Sequence, residues 1–552
     1  MYVVIEPSVS PPGLRLIGVD ESGIPADESV VSWGDATEIL PRRDQSGVRW
    51  VFAHTAELYP RLVERGIRLG RSHDLALCRT ILRRSTRTPA GGLPQRAPDF
   101  WDVPWTHSAD EGSLAGFAEL AGSGERPDAV AELQRQCEAI AASSAPWGLK
   151  RLLAAESCGA MIACEIRHDG LPWRRDVHEK ILTDALGPRP VFGGRPAVLE
   201  NLAVRVRGEL DTPSLNPDSH TELLRALRSA GISVDSTSKW ELLRHEHPVI
   251  EPLLQYKSLS RLMTANGWAW LDEWVHNDRF RPAYVVAGVV TGRWATDGGG
   301  ALQLPAQVRP AVVADDGWTF VIADAAQLEP RIVAAMAGDV AMAAAGHGTD
   351  LYQGLVDAGT VDTRAHAKLA MLGALYGATT GESARLMPRL LRTYPRATGL
   401  VETAARAGER GEQVTTWLGR SSPLPSDAWT SVTRAGTQVT ATAAQERAGR
   451  SAARDWGRFT RNFVAQGTAA EWALCWMAEL RHRLFALGSG EQHPHIVYFL
   501  HDELVIHAPE QTATLVANAV QESADAAGRG LFGDFPVDFP LDVAIARCYA
   551  DA

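Results

Sequence analysis

Short apolar runs separated by polar stretches mark the first 85 residues. The runs at 1–5, 14–19 and 48–52 follow a pattern that predicts a small mixed α/β domain. The next stretch, 86–129, is rich in Gly, Pro and Ser, and its segment TPAGGLPQRAPDFWDVP predicts a surface connection or long loop.

Helical periodicity dominates residues 129–227, as in AVAELQRQCEAIAA, and predicts an all-helical middle part. The segment SLNPDSHTELLRALRSAGI offers Asn and Ser as N-cap candidates before an amphipathic helix that ends at Gly231. Between Ala283 and Ala323 the pattern changes to period two and short β-branched runs, interrupted by glycines at 298–300, and predicts sheet.

Long helical segments rich in Ala, Leu and Arg return over residues 330–480. They are followed by IVYFLHDELVIHA, which predicts a β-hairpin whose turn carries two acids. The sequence contains no internal repeat. The order of helix, sheet, long helical insertion and sheet predicts one sheet built from distant segments, with helices inserted into it.

Composition narrows the class of protein. A chain of 552 residues allows about three or four domains at roughly 150 residues each. With 45% hydrophobic and 22% charged residues the chain is typical of a globular protein, so global disorder is excluded. Lys and Arg number 55 against 66 Asp and Glu, and the net charge of −11 excludes a globally basic nucleic-acid binder but leaves local basic surfaces open.

The apolar runs and the spacing of the cysteines indicate the cellular location and the chemistry of the thiols. No run approaches the roughly 18 to 20 apolar residues of a membrane span, and the start MYVVIEPSVSPPG has neither a basic segment nor a long apolar one, so we expect a cytoplasmic protein without a membrane segment. The six cysteines are scattered, with no CxxC pair and no His partners at zinc-like spacing, which argues against disulfides and structural zinc.

Two acids are placed at predicted strand ends. Asp324 follows the apolar strand TFVIA, and Asp502 lies in the predicted hairpin turn. If the two strands are neighbours, both carboxylates converge on one sheet edge, which is the arrangement needed to hold two magnesium ions for phosphoryl transfer. Taken singly, each acid has a more ordinary interpretation: Asp324 with Gln327 matches a helix capping box, and acids in hairpin turns are usually solvated.

The segment TRAHAKLAMLGALYG places four side chains on one helix face at steps of four: Arg364, Lys368, Leu372 and Tyr376. Two cations one turn apart form a clamp for phosphate, and the Tyr376 ring offers a surface on which a base stacks. The alternative is an amphipathic helix with a solvated basic end.

Five arginines recur at steps of three and four along a predicted helix: Arg447, Arg450, Arg454, Arg458 and Arg461. This spacing predicts a stripe that follows a nucleic-acid backbone. A solvated face paired with nearby acids is the alternative. Asn462 and Gln466 come directly after the stripe, four positions apart, where they can reach base edges in a minor groove.

Together and in this order, these motifs resemble the polymerase region of bacterial DNA polymerase I, the family A DNA polymerases, over residues 150–552. The resemblance implies a multidomain α+β fold, a right-hand polymerase with an antiparallel palm sheet and helical fingers and thumb, preceded by a small RNase H-like α/β domain. The implied domains are 1–148 (degenerate 3′-5′ exonuclease-like), 149–282 (thumb and palm entry), 283–345 (first part of the palm), 346–484 (fingers) and 485–552 (second part of the palm).

The resemblance also implies a catalytic site. DAAQLEPR matches the first family motif, in which Asp324 is a metal ligand, Gln327 lies at the nucleotide and Glu329 is the gate against a ribose 2′-hydroxyl. Asp502 of the His-Asp-Glu hairpin is the second metal carboxylate, and the implied cofactor is a pair of Mg²⁺ ions, with Mn²⁺ as an alternative. The remaining residues that the resemblance implies at the nucleotide are Arg364 and Lys368, which hold its triphosphate as catalytic groups, together with Leu372 and Tyr376.

Contacts to primer–template DNA are implied for a further set of residues. They are Arg293 in TGRWAT, Gln303 in ALQLP, Arg454, Arg458, Asn462, Gln466 and His501, the last of them near the primer end.

The sequence departs from the family pattern at several positions. Leu372 stands where the family carries an aromatic residue against the nucleotide sugar, so it bears on sugar discrimination. In the first motif Ala325, Ala326 and Pro330 replace the usual Tyr, Ser and apolar residue, and the proline falls in a first helical turn, where a missing amide costs little.

The N-terminal segment resembles only the outline of a 3′-5′ exonuclease, which needs several carboxylates to hold two metal ions. Tyr59 occupies the position where the second exonuclease motif carries its Asp, and no Asp-x-Glu pair follows the first strand. Asp74 is the acid that remains. We therefore expect a degenerate domain kept for its shape.

The resulting hypothesis is a DNA-directed DNA polymerase that adds deoxynucleotides to a primer 3′ end, in DNA repair or replication gap filling. Two alternatives stay open: a catalytically weak accessory that binds primer–template, and an enzyme with residual 3′-5′ exonuclease. The expected partners are primer–template DNA and dNTPs, with no membrane. We expect a nucleoid-associated monomer and leave a sliding clamp or a separate nuclease open as partner.

Overall fold

The computed structural model describes residues 1–20, 23–89, 92–102, 127–191, 193–377, 381–488 and 490–552. The chain divides into two compact units. The larger unit comprises Met1–His168, Tyr284–Thr296 and Val321–Ile545, and the smaller unit comprises Asp169–Ala283, Asp297–Phe320 and Ala546–Ala552. Within the described ranges, no helix is long and apolar enough to cross a membrane.

The strands are, in chain order, β1 (Tyr2–Val9), β2 (Pro12–Val19), β3 (Pro25–Val31), β4 (Arg49–Phe52), β5 (Ser72–Asp74), β6 (Leu171–Pro172), β7 (Val275–His276), β8 (Arg279–Phe280), β9 (Tyr284–Val285), β10 (Ala295–Thr296), β11 (Trp318–Ala325), β12 (His495–Leu500), β13 (Glu503–Pro509) and β14 (Leu541–Ala546). The helices are α1 (Trp33–Asp44), α2 (Thr55–Val63), α3 (Leu75–Arg84), α4 (Ala129–Ala141), α5 (Pro146–Asp169), α6 (Arg175–Leu186), α7 (Ala197–Glu209), α8 (His220–Ser229), α9 (Lys239–Leu242), α10 (Ile250–Asn266), α11 (Trp268–Trp274), α12 (Leu328–Ala337), α13 (Val340–Gly346), α14 (Leu351–Asp357), α15 (Arg364–Tyr376), α16 (Gly381–Thr393), α17 (Pro395–Glu409), α18 (Asp427–Thr437), α19 (Ala443–Leu487) and α20 (Ala513–Phe532).

The N-terminal part of the larger unit is the mixed α/β domain that the short apolar runs predict. Its sheet has the order β3-β2-β1-β4-β5, antiparallel from β3 to β1 and parallel from β1 to β5. Val3 and Ile5 of β1 lie in one hydrophobic core and Val4 lies in another, because successive side chains of a strand point to opposite faces. Both faces of the sheet are therefore buried at β1, whereas the outer strand β3 is mostly exposed.

A second sheet in the larger unit has the order β12-β13-β11-β14. β12 and β13 form the predicted antiparallel hairpin, with Leu500 opposite Glu503. β11 lies between β13 and β14, although some 180 positions separate it from the hairpin in the sequence. The expectation of one sheet built from distant segments is confirmed.

The prediction of sheet between Ala283 and Ala323 is mostly wrong. Only β9, β10 and the start of β11 form strands there, and 3₁₀ turns occupy Ala301–Gln303 and Ala306–Ala311. Gly298, Gly299 and Gly300 all have positive φ angles, which breaks a strand. A Cβ on Gly298 would come within 2.5 Å of the Trp274 ring, so these glycines let the backbone of the smaller unit pack against tryptophan.

The smaller unit is largely helical, as predicted for the middle of the chain. Residues from α7, α8 and α10 share one core, which includes Val206, Leu227 and Leu253. Ser219 caps the N-terminus of α8, and Gly231, with φ of 82°, follows its end as expected. A second cluster packs the rings of Trp173, His178, Trp270 and Phe280 against one another.

Helix α19 is the longest element, at 45 residues, and begins with a capping box between Thr442 and Gln445. Its first turns are largely exposed, whereas the residues from Phe463 to Leu484 are mostly buried. Trp472 and Trp476 are fully buried and stack on each other at 5.3 Å. One half of the helix therefore belongs to the core and the other half offers a surface.

A buried polar triad ties the N-terminal domain to α5 and α19. The Tyr59 hydroxyl donates to Glu165 (2.5 Å), and the Arg481 guanidinium donates to both Glu165 oxygens (2.8 and 2.7 Å) and to the Tyr59 oxygen (3.1 Å). Arg481 also donates to the carbonyls of Leu69 and Gly70. Burial would raise the pKa of Glu165, but Arg481 outweighs it and lowers the pKa to about 2.

A second buried acid on α19 is bound by neutral hydrogen-bond donors. Glu471 is 1% exposed and accepts hydrogen bonds from the Thr416 hydroxyl and the Leu418 backbone N–H (2.9 Å). Burial raises its pKa from 4.5 to about 7, against the effect of these bonds and of the more weakly acting Arg420. The folded chain therefore holds the Glu471 proton more tightly than the unfolded chain does.

The triad predicts a large loss of stability for Arg481→Met. Removing the guanidinium leaves Glu165 buried with only Arg68, 3.9 Å away, as a counter-ion, which costs about 3–5 kcal/mol. Tyr59→Phe keeps the ion pair and is expected to cost about 2 kcal/mol. Arg483→Met, which removes a half-exposed ion-pairing arginine from the same helix, is the control and is expected to cost less than about 1 kcal/mol. Urea unfolding measures all three, and equal losses for the two arginine variants would contradict the role of the triad.

Glu471 predicts a pH dependence of stability. Between pH 4.5 and about 7 the unfolded chain ionises Glu471 while the folded chain keeps it protonated, so its contribution falls as pH rises, by about 3 kcal/mol in total. Glu471→Gln should lose less stability than wild type between pH 5 and pH 7.5 in urea unfolding. Glu446→Gln, at the exposed start of α19, should follow wild type. Parallel curves for wild type and Glu471→Gln would show that Glu471 ionises normally.

Candidate functional site

Two acids lie at the same edge of the second sheet. Asp324 is the next-to-last residue of β11, and Asp502 lies in the turn between β12 and β13. β13 is the neighbour of β11, and the Ala325 N–H donates to the Asp502 carbonyl at 3.0 Å. The strands are thus neighbours, as the convergence of the two carboxylates requires.

The hairpin turn consists of two residues, His501 and Asp502. His501 has φ of 60°, and the Asp502 N–H donates to the Leu500 carbonyl at 2.8 Å. The turn exposes the His501 ring and leaves Asp502 partly exposed. Burial, with a further contribution from Arg293, lowers the pKa of His501.

Aromatic packing holds the strand before this turn. The Tyr284 hydroxyl donates to the Phe499 carbonyl (2.6 Å) and accepts its N–H (3.0 Å). The Trp294 ring lies 5.1 Å from the rings of both Tyr284 and Phe499. Trp294 follows Arg293 directly, so the segment with the TGR motif is fastened to the base of the hairpin.

Asp502 is a partly buried acid whose surroundings include a second carboxylate, Glu329. Burial raises the pKa of Asp502, and the Glu329 carboxylate raises it further, against His501 and Arg293. No group of three or more His, Cys, Asp or Glu among the described residues is arranged to hold a metal ion. A pair of carboxylates nevertheless fits Mg²⁺, which is typically bound by one or two carboxylates together with water and substrate phosphates.

The capping-box interpretation of Asp324 and Gln327 is wrong. Gln327 precedes α12 with φ of 50° and makes no side-chain cap bond. Its amide group instead donates to Asp350 (3.2 Å) and accepts from Arg331 and from the Leu351 N–H (3.3 Å each). Gln327 therefore links the end of β11 to the start of α14.

Three predicted site residues from distant segments, Arg293, Glu329 and Tyr376, meet in one hydrogen-bonded network. Arg293 pairs with Glu329 at 2.5 Å, and the Tyr376 hydroxyl donates to the other Glu329 oxygen at 2.6 Å. Gln466 lies beside the Tyr376 hydroxyl and acts against a rise in its pKa. Burial, and after it Glu329, raises the pKa of Tyr376 to about 12.

Helix α15 carries the predicted cationic clamp. It begins at Arg364 behind the N-cap Thr363, so the predicted helix with its stripe is confirmed. Arg364 is exposed and pairs with Asp350 at 2.7 Å, and Lys368, one turn later, is also exposed. Leu372, one turn before Tyr376, is half-buried.

The arginine stripe lies on α19, with one exception. Four of its members are exposed: Arg447, Arg450, Arg454 and Arg458. Arg450 and Arg458 pair with Glu446 and Asp455 of the same helix, as in a solvated face. The stripe prediction is wrong for Arg461, because α19 becomes buried there: Arg461 pairs with Glu402 and donates to the Ala374 carbonyl.

The other predicted DNA contacts are in different situations. Asn462 is half-buried, and its Oδ1 has no hydrogen-bond partner among the described residues. Gln303 lies exposed in a 3₁₀ turn of the smaller unit.

Two acids near the candidate site, Asp350 and Asp538, were not predicted from the sequence. Asp350 caps α14 and binds both Gln327 and Arg364. Asp538 pairs with the buried Arg331 at 2.7 Å. An acid before a short helix is a weak local signal for Asp350, and the pairing of Asp538 with a residue more than 200 positions away has none.

The N-terminal domain uses its remaining acid structurally. Asp74 is buried, and its two carboxylate oxygens accept the N–H groups of Leu77 (2.9 Å) and Thr55 (2.7 Å). The first of these bonds caps α3. Tyr59 belongs to the triad with Glu165 and Arg481.

Comparison with known proteins gives consistent results. The model of the family described as DNA polymerase family A matches residues 219–550. Relatives named "DNA polymerase I, thermostable" from Thermus filiformis and Thermus aquaticus are 27% identical over 385 residues and 26% identical over 341 residues. These matches cover 64% and 56% of this chain but 41% and 37% of the relatives, so the chain spans about two fifths of their length.

A solved structure resembles the whole chain. It is described as "POL domain of Pol1 from M. smegmatis complex with DNA primer-template and dNTP". The TM-score is 0.66 at 18% sequence identity, and the match covers 100% of this chain and 96% of the other. This likeness concerns the fold, which is a multidomain α+β fold of the same kind.

Proposed function

We propose, since this chain belongs to DNA polymerase family A, that it is a DNA-directed DNA polymerase which adds deoxynucleotides to a primer 3′ end. The observation that carries the proposal is the placement of Asp324 and Asp502 on neighbouring strand ends, joined by the bond from the Ala325 N–H to the Asp502 carbonyl. A role in DNA repair or replication gap filling belongs to the same proposal.

Asp324 and Asp502 would hold two Mg²⁺ ions, or Mn²⁺ in their place. When bound, such ions would lower the pKa of the primer 3′-hydroxyl and offset negative charge on the phosphates. The primer 3′ oxygen would lose its proton to solvent and bond to the α-phosphorus as the bond from that phosphorus to pyrophosphate breaks. What the protein itself supplies is mostly positioning and electrostatic stabilisation.

Exposed cations on α15 would receive the triphosphate. Arg364 and Lys368 lie one turn apart, and the phosphates would compete with Asp350 for Arg364. Gln327, Leu372 and Tyr376 would complete the nucleotide site.

Glu329 would act as the gate against a 2′-hydroxyl. Arg293 and Tyr376 each bind one of its oxygens, so the carboxylate is held in place before a nucleotide arrives. Because Leu372 stands in place of an aromatic residue, discrimination against a ribose sugar would depend more on Glu329 and its partners.

Primer–template DNA is the proposed partner, and the M. smegmatis protein of the same fold was solved in complex with such DNA. The exposed arginines Arg454 and Arg458 would follow its backbone, and Arg293, Gln303 and His501 would contact the duplex near the primer end. Asn462 and Gln466 would reach its minor groove. We expect a monomer, and a sliding clamp or a separate nuclease would be additional partners.

The proposed domains follow the right-hand plan. Residues 283–345 and 485–552 would form the palm with the sheet β12-β13-β11-β14, 346–484 the fingers and 149–282 the thumb and palm entry. The sheet order β3-β2-β1-β4-β5 supports an RNase H-like domain over residues 1–148. Because Asp74 is a helix cap and Tyr59 belongs to a buried triad, we propose that this domain lacks exonuclease activity.

We expect Asp324→Asn and Asp502→Asn to lose primer extension. Each variant removes one carboxylate charge from the proposed metal site, so extension with Mg²⁺ should fall about a thousandfold or more. Asp316→Asn, at a fully exposed acid, is the control and should match wild type. Extension of a 5′-labelled primer measures all four proteins.

Three results of that assay would count against the proposal. Full extension by either site variant would show that Asp324 and Asp502 do not form the metal site together. Tight binding of primer–template without extension by wild type would favour the accessory role. Primer shortening in a lane without nucleotides would show that an exonuclease remains.

A further prediction concerns how DNA binding by Arg454→Ala depends on salt. Arg454→Ala should reduce the slope of log K against log salt by about one, because one phosphate contact is lost. Arg61→Ala, at an exposed position of α2, should leave the slope unchanged. Fluorescence anisotropy with a labelled primer–template measures the slopes. An unchanged slope for Arg454→Ala would contradict the proposed contact between α19 and the DNA backbone.

A further inference from the structure

A tight turn presents Arg293 to the network around Glu329. The Val289 N–H donates to the Arg293 carbonyl (3.1 Å), and the Gly292 N–H donates to the Val289 carbonyl (2.8 Å). Gly292 has φ of 89°, in the region that glycine adopts without strain. We call residues 289–293 the TGR turn.

The guanidinium group of Arg420 lies directly beneath this turn. A Cβ placed on Gly292 would be 2.6 Å from Nε, 2.8 Å from Cζ and 3.0 Å from Nη2 of Arg420. The planar guanidinium thus occupies the space that any larger residue at position 292 would need. Arg420 is nearly buried, with 9% of its surface exposed.

Arg420 is itself held from two sides. Its Nη2 donates to Glu156 of α5, a carboxylate with no exposed surface. Its backbone N–H donates to the Thr416 hydroxyl (2.9 Å), and that hydroxyl donates to Glu471 of α19. The loop from Val414 to Ser422 is therefore anchored on α19 while its arginine reaches the turn.

The packing around the turn is equally close. A Cβ on Gly467 of α19 would lie 2.5 Å from the Thr416 side chain and 3.3 Å from the Thr291 carbonyl. Gly467 therefore lets both the loop and the TGR turn approach the helix. The turn has α19 on one side and Arg420 on another.

Stability alone does not account for this pair. Oε1 of Glu156 and Nε of Arg420 are buried and have no hydrogen-bond partner among the described residues. A buried ion pair with polar atoms left unmatched costs more in desolvation than a fully bonded one. A role in placing the turn gives a reason for burying it.

We propose that Arg420, held by Glu156, is a positioning residue for the TGR turn: it sets the turn so that Arg293 meets Glu329 and faces primer–template DNA. Arg420 acts through Arg293 and contacts no substrate itself. The inference rests on the proposed function for its DNA and nucleotide consequences, whereas the placement of the turn is a property of the free protein.

The test begins with Arg420→Lys, which keeps a positive charge beside Glu156 but removes the planar group from beneath Gly292. Glu156→Gln is the second variant, since it loosens Arg420 without creating an unpaired carboxylate. Arg79→Lys is the matched control, because Arg79 and Glu132 form a fully buried pair in the N-terminal domain. Thermal melting confirms that each variant folds.

Hydrogen exchange of the free protein is measured first. Amides of residues 289–293 should exchange roughly tenfold faster in Arg420→Lys and Glu156→Gln, and at the wild-type rate in Arg79→Lys. Unchanged exchange in both variants would overturn the proposal. This readout needs no DNA, so it remains decisive even if wild type neither binds nor extends a primer and the proposed polymerase function fails.

A double-mutant cycle then tests the path through Arg293. Arg420→Lys and Arg293→Ala should each weaken binding of primer–template and each reduce the preference for dCTP over rCTP in single-turnover extension, by roughly tenfold. The double variant should be no worse than Arg293→Ala alone, because both changes remove the same contact. Additive losses would show that Arg420 acts separately from Arg293 and would overturn the proposal.

Discussion

The bond from the Ala325 N–H to the Asp502 carbonyl is the constraint on which the candidate site depends. It places β11 beside the hairpin, and so brings together two acids that are 178 positions apart in the sequence. Backbone pairing of this kind determines which residues share an edge with far more precision than side-chain packing does. The strand ends that carry Asp324 and Asp502 therefore lie side by side.

Helix α19 plays the corresponding role for the residues around that edge. Its exposed turns carry Arg454. Its middle turns carry Gln466, which lies beside Tyr376, and Gly467, which lets the TGR turn approach the helix. Further along, Glu471 anchors the loop that carries Arg420, and Arg481 anchors the N-terminal domain. A rigid helix fixes these contacts relative to one another, so the exposed arginines, the residues around Glu329 and the N-terminal domain share one frame.

Several charged side chains are buried along α19 and the elements packed against it. Glu165 is matched by Arg481 and a tyrosine hydroxyl, Glu156 is matched by Arg420 with polar atoms left over, and Glu471 is buried against neutral donors. Such groups reduce the net gain from the surrounding apolar core. Their concentration along α5, α19 and the loop between Val414 and Ser422 means that the framework behind the site is more polar than a core built for stability alone.

Local patterns in the sequence determined the elements that carry the site. Short apolar runs predicted the mixed α/β character of the N-terminal domain, steps of four predicted the helix from Arg364 to Tyr376, and an apolar-acidic-apolar pattern predicted the hairpin around Asp502. Each depends on interactions within a few residues, which is why the sequence alone suffices. The motifs and their order also pointed to the polymerase family, which the family model confirms over residues 219–550.

Only the tertiary structure decided which of these residues meet. Glu329 binds Arg293 and Tyr376, Arg461 turns away from its stripe to pair with Glu402, and Arg420 lies beneath Gly292. These partners are 36 to more than 100 positions apart in the sequence. A local pattern reports periodicity and composition, whereas such contacts depend on how sheets and helices pack, and therefore on the whole fold.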